Sequence, residues 1–289
     1  MGNKEFKRKL RLDQAKSLAK QQKAQIKEQR RAEKNLIREK SKQLDIELVP
    51  KPVGAVHVAC LIHSDGYSWE YVEKLENMVR RNLSREVIFH VYTEESRPVP
   101  EHITKHVLEE WPGQWGARKS WWYKLQLFNP AHFAGPLLYF DLDTVIVKNI
   151  DWITELPLNY FWAPRDYRYI WKPNHQGINS SVMWWDTNRF DYVYREFMAK
   201  DLQQTMRHYK GDQDYITEAI PPNSLRYFMP MNVMSWRWQC LHGGIHTSTR
   251  THISPGAGTV IDHKTSVLVF HGDPKPHAAN DTVIENFWR

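Results

Sequence analysis

Glycine and proline are missing from Lys4 to Leu48, cysteine is scarce throughout, and no apolar run approaches the length of a membrane span. Without either helix breaker, the first stretch favours one long helix. Its apolar residues (Phe6, Leu10, Leu18, Ile26, Leu36, Ile37) keep no sustained heptad, which argues against a stable coiled coil. The only cysteines, Cys60 and Cys240, lie far apart, which excludes a disulfide-stapled scaffold and fits a reducing, cytoplasmic compartment. Apolar runs are broken by residues such as His57 well short of the ~20 needed to cross a bilayer. No apolar stretch follows the basic start, so a secretory signal is not expected. Gly2 follows the first methionine, but Phe6 stands where the myristoylation pattern needs Ser or Thr.

The net charge of +7 is unevenly placed. Residues 1–50 carry 15 Lys/Arg against 7 Asp/Glu, and the remainder carries 25 against 26. A near-neutral remainder argues against a nucleic-acid-binding core and for a basic arm on an ordinary domain. Two readings of residues 1–48 stay open. One is a solvated helix; the other is an arm for an anionic membrane surface or a protein partner, at ~1 kcal/mol per basic residue held near the surface. The second would place the protein peripherally on the cytoplasmic face of a membrane.

Val49-Pro50-Lys51-Pro52 ends the helical pattern and divides the chain into the arm, 1–50, and a domain, 51–289. With 289 residues, 41% of them hydrophobic, a sizeable core is expected. Val53–Ile62 reads as a buried strand and Ser68–Leu83 as a helix with Tyr71, Leu75, Met78 and Val79 on one face. Val87–Tyr92 returns to strand. This β-α-β order predicts a parallel sheet flanked by helices. Further on, the pattern gives a helix over Lys119–Phe128, strands in LLYFDLD and GINSSVMWW, and a helix over Asn188–Ala199. A short helix follows GDQD, the Trp- and Gly-rich stretch Met229–Gly258 is irregular, and VLVFH is a last strand.

The stretch Leu137–Val147, LLYFDLDTVIV, sets two aspartates inside apolar sequence. In a strand, residues two apart share a face, so Asp141 and Asp143 can aim both carboxylates at one point. Two adjacent buried carboxylates require compensation, which a divalent metal supplies. Ligands of open α/β sheets bind beyond the carboxyl ends of the strands, where this pair is expected. Two chemistries use the pattern: the DxD motif of nucleotide-sugar glycosyltransferases and the first motif of haloacid-dehalogenase-like phosphohydrolases. The second fits Asp141, Asp143 and Val145 but is usually on an early strand, and GDQD lacks its later acidic spacing. A third reading makes the domain an inactive adaptor that works through its basic arm.

Four further segments, in order, resemble the GT-A nucleotide-sugar glycosyltransferases, in particular the family-8 type of retaining enzyme. LIHSDGY (Leu61–Tyr67) is similar to the loop that holds the nucleotide base, and QGINSSVMWWD (Gln176–Asp186) to the segment under the donor sugar. GDQDYI (Gly211–Ile216) resembles the DQD motif, and FHGDPKP (Phe270–Pro276) the C-terminal HxxGxxKP element. The resemblance spans about His57–His277. It implies a three-layer α/β fold with a mainly parallel sheet, and transfer of a hexose from a UDP-sugar to a glycan or glycolipid acceptor, with retention, in surface glycan or lipopolysaccharide synthesis.

On that resemblance, Asp141, Asp143 and His271 hold Mn²⁺ or Mg²⁺. The family places its ligand histidine three residues before the glycine, whereas His271 directly precedes Gly272. Gly272 and Lys275 meet the diphosphate, though GDPKP also suits an ordinary turn. Asp65 and Tyr67 hold the base or form a plain polar loop; Lys124 contacts the donor or is a solvated helix lysine. Asn179 and Ser180 bond sugar hydroxyls or backbone groups. Asp212, Gln213 and Asp214 lie near the reacting carbon, although an Asp at a helix start also explains Asp212. Most of the 13 tryptophans belong to the core; Trp115, between Gly113 and Gly116, is the expected acceptor contact.

Overall fold

The computed structural model describes residues 54–111 and 117–289. The basic arm, 1–50, and Trp115 lie outside the described residues.

The expected β-α-β unit opens the domain. Strand β1 (Val56–Leu61) leads into the helix Glu70–Asn82 and then β2 (Val87–Thr93), which pairs parallel to β1 from Val56↔Val87 to Leu61↔Tyr92. Strands β3 (Thr104–Val107), β4 (Pro136–Phe140), β5 (Thr144–Ile146), β6 (Phe161–Ala163), β7 (Val182–Asp186) and β8 (Leu225–Tyr227) follow. The main sheet has the order β3-β2-β1-β4-β7-β6-β8. Its pairings are parallel except for those of β7, which runs against both β4 and β6.

Alternation along these strands feeds two cores, one on each face. Val56, Val58, Cys60, Leu138, Phe140 and Trp184 meet Leu75, Met78 and Val79 of the helix Glu70–Asn82. Ala59, Tyr92, Leu137, Tyr139, Met183 and Trp185 pack on the opposite face under the helical segment Ala117–Phe128 and the helices Tyr192–Met198 and Asp212–Ala219. Trp185 is fully buried and stacks on Phe128 with ring centres 4.9 Å apart.

A second, three-stranded sheet combines β5 with β9 (Val233–Ser235) and β12 (Val267–Val269) in the order β5-β12-β9. The last strand read from the sequence therefore belongs to this small sheet. The stretch expected to be irregular holds β9, a helical turn at Trp236–Cys240, and the antiparallel hairpin of β10 (Leu241–His246) and β11 (Thr251–Thr259). No helix among the described residues is long and apolar enough to cross a membrane.

One cluster on the main sheet had no signal in the sequence. His57 Nδ1 lies 2.8 Å from His90 Nε2, and His90 Nδ1 lies 2.8 Å from His106 Nε2, so three adjacent strands carry a chain of imidazoles. Phe133 packs against the first two. Burial, then the neighbouring imidazoles, lowers His90 to about 3; burial and His132 lower His106 to about 4; burial lowers His57. The fold holds these rings neutral, while an unfolded chain takes up protons below about pH 6.5. Stability is therefore lost as pH falls from about 6.5 toward 4. The melting temperature is expected to drop between pH 7 and 5, and to drop less in His90→Gln; equal slopes in the two proteins would contradict the imidazole chain as the cause.

Candidate active site

The motif LLYFDLDTVIV is two strands in two sheets, joined by a tight turn. Thr144 donates its N–H (3.2 Å) and Oγ1–H (2.8 Å) to the Asp141 carbonyl, and Leu142 is buried beneath the turn. The period-two expectation of convergent carboxylates is thus corrected: the chain leaves the strand at Asp141, and the two side chains find different partners. Both still line one cavity of about 810 Å³, together with the expected Asp65, Tyr67, Lys124, Gly272 and Lys275.

Asp141 is held by Lys124, whose ammonium contacts Oδ1 at 2.7 Å and Oδ2 at 2.9 Å. Tyr139, two residues earlier on the same face of β4, donates its hydroxyl to Oδ1 at 2.7 Å. Lys124 also donates to Ser180 Oγ (3.2 Å) and lies 3.7 Å from Asp212 Oδ2, which accepts a 2.6 Å bond from Ser180. Lys124 is 7% exposed and Asp212 is 5% exposed, so this is a buried network and Lys124 is no solvated helix residue. Burial alone pulls the ammonium down, but the Asp141 and Asp212 carboxylates outweigh it and the net shift is upward. Burial pushes Asp212 up against the opposing pull of Lys124 and Ser180.

Asp143 is met from the other side. Tyr67 donates its hydroxyl to Oδ2 at 2.9 Å, and Lys275 forms an ion pair with the same oxygen. Burial and the Asp143 charge raise the Tyr67 phenol far above its ordinary range, so it stays a donor. Among the described residues no donor meets Asp143 Oδ1. The Tyr67 ring lies 4.8 Å from that of Tyr71, and the Lys275 ammonium is 5.7 Å from its centre. Asp65 is exposed at the mouth.

His271 stands apart from the aspartates. Arg237 Nη2 lies 2.9 Å from its Nδ1 and Ser235 Oγ 2.7 Å from its Nε2. A guanidinium only donates, so Nδ1 accepts and the proton sits on Nε2, donated to Ser235. Burial, then Arg237, lowers this imidazole to about 3, and it is neutral. Neither nitrogen has a lone pair left, so the arrangement does not bring His271 to a metal as expected. Among the described residues no group of three His, Cys, Asp or Glu could hold an ion. Asp141 and Asp143 both line the cavity and offer hard oxygens, the ligand type that suits Mg²⁺ or Mn²⁺.

The remaining expected residues divide. Asp212 faces the Lys124 network, whereas Gln213 donates to Asp166 Oδ2 (3.3 Å) and Asp214 lies 3.5 Å from Arg168. Asn179 is buried and accepts from the Ser181 N–H at 3.2 Å. Gly272 adopts a left-handed φ of +77°, which favours glycine. Sequence reading passed over Tyr139, Asp166, Trp121 and Arg237. Tyr139 was detectable, since it shares its strand face with Asp141. Trp121 is 39% exposed and lines the cavity, while Trp111, Trp122, Trp184, Trp185 and Trp236 are buried.

Removing Lys124 would leave two carboxylates in a poorly solvated place without their cation. Lys124→Met is expected to cost about 3 kcal/mol or more, as for other broken buried ion pairs. Urea unfolding measures this; a loss below about 1 kcal/mol would show that Asp141 and Asp212 do not depend on it.

No protein-family model matches the sequence, and a search of the curated proteins finds no match. Solved structures do match in fold. An active-site mutant of LgtC is 14% identical with a TM-score of 0.53, over 78% of this chain and 90% of that one. The galactosyltransferase LgtC in complex with donor and acceptor sugar analogues is 14% identical with a TM-score of 0.51, over 80% and 94%. The bifunctional glycosyltransferase WbbM in its apo form is 14% identical with a TM-score of 0.51, over 79% of this chain and 48% of that one. The chain therefore spans most of LgtC and about half the length of WbbM. Its fold is the mixed α/β GT-A fold of glycosyltransferases, with a mainly parallel central sheet.

Proposed function

We propose that this protein is a cytoplasmic glycosyltransferase that moves a hexose from a nucleotide diphosphate sugar, a UDP-sugar, to a glycan or glycolipid acceptor in surface glycan synthesis. The observation that carries this reading is the cavity itself, lined by an acid pair at a sheet corner, by Gly272 and by Lys275. It supplies, within one space, groups for the base and the diphosphate of such a donor. Exposed Asp65 and the Tyr67 ring, both lining the cavity, suit the base. Gly272 puts backbone on the wall beside the diphosphate, and Lys275 stands ready to exchange its bond to Asp143 for a phosphate oxygen.

Asp141 and Asp143 would hold Mn²⁺ or Mg²⁺, which when bound supplies positive charge to the departing diphosphate. The chain's own contribution is preorganisation. Lys124 and Tyr139 fix Asp141 before substrate arrives, and Tyr67 fixes Asp143. As the sugar–oxygen bond breaks, Lys275 meets the growing charge on the leaving group. The DQD carboxylates are engaged elsewhere, Asp212 with Lys124 and Ser180 and Asp214 near Arg168. Transfer with retention is proposed on the resemblance to retaining enzymes, not on these carboxylates.

Incubation with Mn²⁺ and a panel of UDP-sugars is expected to release UDP slowly even without acceptor, and Asp143→Asn is expected to lower that rate by about 100-fold. Phosphate release from simple phosphomonoesters, with no UDP formed from any sugar nucleotide, would replace this reading with a phosphohydrolase.

A further inference from the structure

Arg237 occupies a position that its visible hydrogen bonds do not explain. It is 2% exposed and has no ion pair among the described residues. Its Nη2 donates to the Ser248 carbonyl at 2.6 Å and to His271 Nδ1, while Nε and Nη1 are buried without partners. Its guanidinium carbon lies 4.7 Å from the Trp238 ring centre. Burial lowers its pKa to about 10, with Asp273 pulling the other way, so the group is charged at neutral pH. A sealed cation with unmet donors is costly, and a neutral side chain would tie Ser248 to His271 without that cost.

Its place in the fold indicates what the charge is for. A Cβ on Gly272 would meet Arg237 Nη1 at 2.8 Å, its Cζ at 3.1 Å and the Thr249 carbonyl oxygen at 2.5 Å. The guanidinium therefore lies directly behind the one backbone unit of the FHGDPKP loop that must be glycine, and Gly272 lines the donor cavity. Lys275, on the same loop, supplies a cation from the cavity side. Little solvent separates the buried charge from an anion resting on Gly272, so its field reaches that anion weakly screened.

We infer that Arg237 is an anion-binding group of the donor site: from behind Gly272 its charge attracts the diphosphate of a nucleotide, in concert with Lys275. His271 serves it as a positioning residue, accepting its hydrogen bond and passing the constraint to Ser235. This rests on the donor-site reading above and adds a cation which that reading lacks.

Titration calorimetry with UDP and with uridine, on the full chain with Mg²⁺ present, tests it. Arg237→Gln is expected to weaken UDP at least tenfold and to leave uridine within twofold, and Arg237→Lys to regain most of the UDP affinity. Equal losses for both ligands, or a Lys variant no better than Gln, would leave Arg237 a merely structural tie and overturn the inference alone. A wild-type protein that binds no nucleoside diphosphate would overturn the donor site and the inference together. Should Arg237→Gln fail to fold, the Arg237 Nε–H resonance of the wild type decides: UDP is expected to shift it and uridine not to, and an unmoved signal under saturating UDP overturns the proposal.

Discussion

A single buried ammonium organises the site. Lys124 reaches from the helical segment Ala117–Phe128 to both oxygens of Asp141 at the end of β4, to Ser180 ahead of β7, and to within 3.7 Å of Asp212 at the start of the helix Asp212–Ala219. Each of those segments brings one charged or polar group into the interior, where none could stay alone without severe desolvation cost. Together they satisfy one another. Four stretches separated by up to 88 positions of sequence are thereby held together beyond the end of β4. The second cation, Lys275, repeats the arrangement for Asp143 from the opposite wall, but at a more exposed place and with fewer partners. That asymmetry is the basis for proposing Lys124 as a structural partner and Lys275 as the one that exchanges carboxylate for phosphate.

Much of the fold was legible. Val53–Ile62 and Val87–Tyr92 are apolar and β-branched and Ser68–Leu83 carries a helical period; β1 and the helix Glu70–Asn82 lie within those bounds, and β2 runs one residue further, to Thr93. The reversed direction of β7 was not legible, because an apolar strand buried on both faces reads the same either way. Nor was the assignment of VLVFH to a second sheet, since strand partners are set by long-range closure and not by local pattern. The histidine chain escaped for the same reason: His57, His90 and His106 are 33 and 16 positions apart and meet only through sheet register.

In the site, the acid pair was found but its geometry was misjudged. Period two holds within a strand, and Asp141-Leu142-Asp143 is a turn closed by Thr144. The engagement of His271 was not legible, because a histidine at a strand end beside glycine offers no sequence sign of which way its nitrogens point; Arg237 and Ser235, more than 30 residues away, decide that. Arg237 itself lies between Trp236 and Trp238, where the sequence gives no reason to expect a buried charge. Lys124 was named on resemblance, and burial gives it a firmer role than that resemblance implied.

On the function proposed, the corner holding Asp141 and Asp143 receives the diphosphate of a sugar nucleotide. A crystal structure with a UDP-hexose and Mg²⁺ addresses it most directly. Phosphate oxygens are expected over Gly272, with Lys275 drawn from Asp143 to a phosphate and Asp141 still on Lys124. A diphosphate seated elsewhere, with Lys275 unmoved from Asp143, would contradict the proposal.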